Sequence, residues 1–371
     1  MKKISLLLLL IFLSCSDKHS SSDLPGRLGN PEMSLIDDPR AIPSVTKAMS
    51  EYGLDALAPD PPISIDATQN EKVEYMTSLE PVYEEIFKSW YSDLPEIKGL
   101  DRFTKVIEGV DGNEITLYIH KPKNHKSNIP GILHIHGGGM SIMKARNINY
   151  TRWRDDLAST GLVVVGVEFR NVAGELGSHP FPAGLNDCSS ALQWMFDNKA
   201  ELGVSKIIVS GESGGGNLTL ATTLKAKKDN KLFQIDGVYA QCPYISNEYH
   251  NNINNLTSLV ENDGYFLNVK DMAVMATAYD GNNSKNPLAW PLFASKDELS
   301  GLPPHVISVN ELDPLRDEGL LYYKKLLSSG VDASSITING TVHAGDMIFI
   351  KATPKIYRAS IMHINNFANS L

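Results

Sequence analysis

Apolar and polar positions divide this chain into three stretches of different periodicity. Met1 to Ser14 joins a basic start, Lys2 and Lys3, to an unbroken apolar run from Ile4 to Leu13. From Leu24 to about Leu100 the chain is punctuated by proline and mostly helical in pattern. There Val73, Met76, Leu79, Val82, Tyr83, Ile86, Phe87 and Trp90 recur every three or four positions, which predicts one amphipathic helix despite Pro81. Its apolar stripe is expected to pack on the rest of the molecule, with a moving lid as the alternative. From Phe103 onward the period shortens. Phe103–Ile107 and Glu114–His120 flank Asp111-Gly112, a hairpin signal, so the sheet should open antiparallel.

Short β-rich runs separated by helical stretches follow, at Gly131–His136, Leu162–Phe169, Lys206–Ser210, Gly237–Gln241, His305–Asn310 and Ser335–Asn339. Strands this apolar, alternating with helices, predict a mostly parallel sheet covered on both faces. Such sheets bind ligands at the carboxyl ends of their strands. A long insertion, about residues 246–291, interrupts the alternation.

Composition narrows the reading. At 371 residues and 42% hydrophobic content the chain is long enough for one large α/β domain with an added element. A formal charge of −9 without a Lys/Arg-rich block excludes nucleic-acid binding on the usual electrostatic ground. Cys15, Cys188 and Cys242 lack the spacing of a zinc or redox site, and there is no H-E-x-x-H or EF-hand pattern, so no metal is expected.

The apolar run at the N-terminus is too short to span roughly 30 Å of hydrocarbon and reads as the core of a signal peptide, residues 1–14. Leu13-Ser14-Cys15 after it resembles the lipobox of bacterial lipoproteins, although Phe12 stands where leucine is usual. Cys15 is thus the expected lipidation site, residues 15–25 a tether, and the cell-envelope membrane a partner through that anchor. An ordinary secretory signal, giving a soluble exported protein, is the alternative.

Three strand ends carry candidate chemistry. Lys206–Ser210 leads into Gly211-Glu212-Ser213-Gly214-Gly215 and a helical stretch, the strand–turn–helix context in which G-x-S-x-G lifts a serine above a sheet. Gly131–His136 runs into Gly137-Gly138-Gly139, whose N–H groups suit an oxyanion; a phosphate cradle is weaker because neither G-x-G-x-x-G nor a Walker Lys-Ser/Thr pair is present. His305–Asn310 leads to Asp313 and Asp317, and His343 lies in a loop after a further strand. The order Ser213, Asp313, His343 is that of α/β hydrolases.

His136-Gly-Gly-Gly-Met140, Arg170 with His179–Asp187, Gly211–Asn217, Asp313–Gly319 and His343 together resemble the hormone-sensitive-lipase-like esterases, the bacterial family IV carboxylesterases, over residues 101–371. The resemblance implies an α/β-hydrolase fold with an eight-stranded sheet, a cap built from the N-terminal helices (residues 26–100) with help from the insertion, and hydrolysis of short-acyl, small-molecule esters without a cofactor. It also implies Ser213 as nucleophile, His343 as base, Asp313 as acid, and N–H groups of Gly137, Gly138 and Gly214 as the oxyanion hole, with a shift by one to Gly139 open. His136, Arg170 and Asp187 read as scaffold, and Met140 and Glu212 as pocket candidates. Phe169–Gly174 and Ala344-Gly345-Asp346 depart from the family pattern, which leaves a carbohydrate O-deacetylase, lipase or amidase on the same machinery, or a non-catalytic binding protein, as alternatives.

Overall fold

The computed structural model describes residues 24–123, 128–249, 256–281 and 285–371. The signal segment and Cys15 lie outside them. Eight strands form one sheet: β1 (Leu100–Glu108), β2 (Glu114–Pro122), β3 (Ile129–Ile135), β4 (Val163–Val167), β5 (Val204–Glu212), β6 (Gly237–Gln241), β7 (His305–Asn310) and β8 (Ala333–Ile338). Their spatial order is β1-β2-β4-β3-β5-β6-β7-β8. The expected hairpin pairs β1 with β2 through Asp111-Gly112, β2 lies antiparallel to β4, and every pairing from β4 to β8 is parallel. This is the α/β-hydrolase arrangement.

Strands β4, β6 and β7 are buried at every position, which explains their unbroken apolar runs. The helices Ile148–Ser159 and Pro354–Ser370 form one covering group, and Ala183–Asp197, Gly214–Lys228 and Arg316–Ser328 pack on the sheet as well.

Several strands are longer than their patterns predict, and the extension of β5 bears on the site. β5 runs on past Ser210 to Glu212, with Ser210, Gly211 and Glu212 paired to Tyr239, Ala240 and Gln241. Gly211 serves close packing here: a Cβ on it would stand 2.4 Å from the Ile135 carbonyl oxygen. The nucleophile candidate therefore sits one residue beyond a paired strand end.

The expected amphipathic helix spans Gln69–Tyr91, opened by a capping box between Thr68 and Glu71. Pro81 is tolerated on its exposed side, and Val82, expected in the apolar stripe, is 56% exposed. The helix packs against a second cap helix, Val269–Asp280 from the insertion, where the Tyr75 hydroxyl donates to Asp271 at 2.5 Å and the Gln69 amide donates to the Ala278 carbonyl at 3.0 Å. Its other anchor is the loop after β3. Glu80 accepts the Met143 N–H at 3.1 Å, and Glu84 accepts from the Lys144 ammonium at 2.7 Å.

The segment before these helices is stapled to the same region. Arg40 binds Asp38 and Glu261, and Glu261 in turn holds Arg316 through two bonds of 2.8 and 2.9 Å. Three segments remote in sequence thereby meet beside the loop that follows β7.

Candidate active site

Ser213 stands on a strained backbone. Ser213 has φ +57° and ψ −119° and occupies the N-cap of the helix Gly214–Lys228. The turn is held from below, as the Ser213 N–H donates to the Gln241 carbonyl at 3.0 Å and the Tyr244 N–H donates to the Ser213 carbonyl at 3.1 Å. Asn217 locks the arrangement by donating to the carbonyls of Tyr244 and Ala289, both at 2.8 Å. A side chain at Gly215 is impossible, since its Cβ would lie 2.0 Å from the Ile135 carbonyl oxygen. The positive end of the helix faces the site.

Asp313 and His343 meet beyond β7 and β8. The Asp313 Oδ2 to His343 Nδ1 distance is 2.7 Å, and the other oxygen, Oδ1, accepts the Leu315 N–H at 2.9 Å. Asp313 is fully buried. Asn262 supports this loop by donating to the carbonyls of Glu311 and Asp313 at 3.0 and 3.1 Å. Beneath the histidine loop the buried Asp346 accepts from Asn310 and Ser360. Asp317, the other carboxylate expected near this role, lies in the first turn of Arg316–Ser328, where it accepts the Ser258 N–H at 2.8 Å and pairs with Arg316.

Ser213 and His343 line one pocket, together with Gly137, Gly138, Gly139 and Glu212. Its walls are apolar, contributed by Tyr83 and Phe87 of the first cap helix, Phe266, Met272 and Met275 of the insertion, and Met143 and Met347 of the main domain. Four methionines make that wall polarisable and adaptable.

Two expected assignments change. Gly137 does not have a free N–H: it donates to Glu212 Oε1 at 2.6 Å. The open donors are those of Gly138, Gly139 and Gly214, which find no acceptor among the described residues. Met140 is buried behind the loop and does not line the cavity, whereas its neighbours Ile142 and Met143 do. Trp90 and Tyr91 of the cap helix likewise lie outside the cavity. Trp90 packs on Phe349 at a ring distance of 4.7 Å, and the Tyr91 hydroxyl donates to the Met347 carbonyl at 2.7 Å.

The scaffold residues lie where the motif suggested. His136 is buried, stacked on Phe169 at 4.2 Å, with Nδ1 2.8 Å from the Gly137 carbonyl oxygen; burial pushes its imidazole down to about 3, so it is neutral. Arg170 and Asp187 form a paired fork that also reaches Asp111 at the hairpin tip. Glu212 lines the cavity, and burial pushes its carboxyl up to about 8. Cys242 brings its sulfur within 4.8 Å of ligand atoms of Asp313 and His343, and burial raises its thiol well above the usual range. Tyr244, Asn262 and His134 carry parts of this site that no motif signalled, whereas Asn217 closes the quoted Gly211–Asn217 motif.

The fold and site together define a class. A profile of the alpha/beta hydrolase fold family matches residues 132–346, and the chain belongs to that family. It is 36% identical over 239 residues to an arylesterase of Saccharolobus solfataricus, covering 62% of this chain and 72% of that one. The carboxylesterase NlhH of Mycobacterium tuberculosis is 31% identical over 248 residues, covering 64% and 72%. Among solved structures, brefeldin A esterase, described as a bacterial homologue of human hormone sensitive lipase, superposes with a TM-score of 0.90 at 43% identity over 93% of this chain and 98% of that one. The esterase Est22 follows a similar course, with a TM-score of 0.81 at 35% identity over 91% and 99%. The chain is a carboxylic ester hydrolase acting on small-molecule esters.

Proposed function

We propose that this protein is a serine esterase of short-acyl carboxylic esters, working through Ser213, His343 and Asp313. The observation that carries the reading is the buried 2.7 Å pair of Asp313 and His343 opening on the cavity that Ser213 lines. His343 takes the Ser213 proton as the hydroxyl oxygen attacks the ester carbonyl carbon, and the electron pair of the C=O bond moves to oxygen. Asp313 holds the proton-bearing Nδ1 and stabilises the imidazolium. The oxyanion meets the N–H groups of Gly138, Gly139 and Gly214, each worth about 3 kcal/mol of barrier stabilisation in such sites. The imidazolium then protonates the departing alcohol, and water, activated by His343, releases the acid from the acyl-enzyme.

Short acyl chains follow from the aromatic and methionine wall formed by Tyr83, Phe87, Phe266 and Met272, which crowds the space above the serine. The same apolar lining argues against a sugar hydroxyl face nearest the nucleophile, and so against a carbohydrate deacetylase. The N-terminal helices and the insertion serve as the cap. Export and anchoring through a lipid on Cys15 are supported by the basic, apolar and cysteine order of residues 2–15. Initial rates on p-nitrophenyl esters from two to sixteen carbons test the substrate reading: rates should peak at two to six carbons, and a steady climb to sixteen would make the enzyme a lipase.

A further inference from the structure

Five residues after β3, His136 to Met140, use their hydrogen-bonding groups in an uneven way. Their carbonyl oxygens from Gly137 on are all occupied. Gly137 O receives His136 Nδ1 at 2.8 Å, and Gly138 O receives the N–H groups of Ser141 and Ile142 at 3.0 Å. Gly139 O receives the Ser141 hydroxyl at 3.0 Å, and Met140 O receives the Val172 N–H at 3.0 Å. A buried segment normally satisfies its donors with equal completeness. Here the N–H groups of Gly138 and Gly139 stay open among the described residues, and the one glycine donor taken is that of Gly137.

Its acceptor is the side chain of Glu212, one residue before the nucleophile. Glu212 is 2% exposed and ends a paired strand. Its Oε1 lies 2.6 Å from the Gly137 nitrogen, and its Oε2 lies 3.1 Å from Nε2 of the fully buried His134. Anchored at both oxygens, the carboxyl grips the first peptide of the glycine loop. The next two residues then take φ of +99° and +62°, in the left-handed region that glycine enters at least cost. That turn brings the loop so close to the nucleophile's helix that a Cβ on Gly214 would be 2.7 Å from the Gly139 nitrogen. The backbones of Gly139 and Gly214 therefore lie side by side.

We propose that Glu212 is a positioning residue for the oxyanion hole: by taking the Gly137 N–H it sets the turn that aims the Gly138 and Gly139 N–H groups into the cavity above Ser213. It touches no reacting atom and acts through the glycine loop. This rests on the serine-esterase reading, and it assigns to one side chain the geometry on which transition-state binding depends.

The test compares Glu212→Gln, which keeps an oxygen for Gly137, with Glu212→Met, which keeps the volume and removes it. With p-nitrophenyl acetate, the Gln variant should stay within about fivefold of wild-type kcat, while the Met variant should lose about 100-fold in kcat with KM within threefold. Affinity for a trifluoromethyl ketone, whose serine adduct carries the oxyanion, should fall by a similar factor in the Met variant alone. A folded Met variant with kcat within threefold of wild type, or a loss confined to KM, overturns the proposal. Amide exchange on glycine-labelled wild-type protein reads the same geometry without any substitution: Gly137 should be protected and Gly138 and Gly139 should exchange fast. Equal exchange at all three also overturns it. A wild type without esterase turnover defeats the esterase reading instead, and the exchange pattern still decides the role of Glu212.

Discussion

Replacing Asp313 by asparagine isolates one interaction at nearly constant shape. The carboxylate divides its oxygens between two fixed partners, the Leu315 N–H at 2.9 Å and His343 Nδ1 at 2.7 Å. An asparagine has one oxygen. The Leu315 peptide can only donate, so it claims that oxygen and leaves the amide NH₂ facing His343. The imidazole must then accept at Nδ1 and carry its proton on Nε2, the edge that should receive the serine proton. Loss of the correct tautomer and of the imidazolium's counter-charge costs about 10³- to 10⁴-fold in serine-hydrolase sites, or about 4–5 kcal/mol of barrier. Stability should change far less, because both contacts keep a hydrogen bond of some kind, a difference of about 1 kcal/mol. Asp317→Asn is the control. That carboxylate serves the Ser258 N–H and Arg316, on the first turn of a helix, where its charge is worth up to about 1 kcal/mol. The assay is kcat on p-nitrophenyl butyrate alongside thermal melting. Asp313→Asn should be folded and nearly inactive, and Asp317→Asn should melt a few degrees lower with most of its turnover. A folded Asp313→Asn within tenfold of wild type, or a folded and dead Asp317→Asn, refutes the assignment of the acid.

Ser213→Ala should retain its melting temperature and lose several orders of magnitude in ester turnover; comparable turnover by the folded variant would remove the nucleophile. Gly214→Ala should cost at least tenfold in kcat, because the added Cβ would stand 2.5 Å from the Met140 nitrogen and 2.7 Å from that of Gly139, displacing the oxyanion donors. Burial pushes the Glu318 carboxyl up to about 8 from an ordinary 4.5, so the folded chain keeps a proton that the unfolded chain releases. Its contribution to stability should therefore decline as pH rises from about 4.5 to about 8, and melting of Glu318→Gln against pH should show a shallower fall than wild type. Cys15 should incorporate a fatty-acid probe in a bacterial host that processes lipoproteins, with the label lost in Cys15→Ala; label that survives the substitution counts against the anchor.

Local patterns were sufficient to read the order of strands and helices, the hairpin at Asp111-Gly112 and the elbow around Ser213. Each depends on neighbours in the chain: alternation of apolar runs, a turn dipeptide, glycines where a side chain would collide. The placement of Asp313 and His343 at successive strand ends follows equally from parallel topology, since every parallel strand delivers its carboxyl end to the same edge of the sheet. Tertiary structure alone decided which of the glycine donors is free. Gly137, Gly138 and Gly139 are chemically identical in sequence, and only the arrival of Glu212 from a neighbouring strand takes one of them out of use. The same holds for the pocket wall. Helical periodicity placed Tyr83, Phe87 and Trp90 together on an apolar side, yet Phe349 claims the last, and the insertion's Met272 and Met275 line the pocket in its place. A hydrophobic stripe states that a surface will be covered; what covers it depends on which distant segment reaches it first, and that is a property of the packed chain.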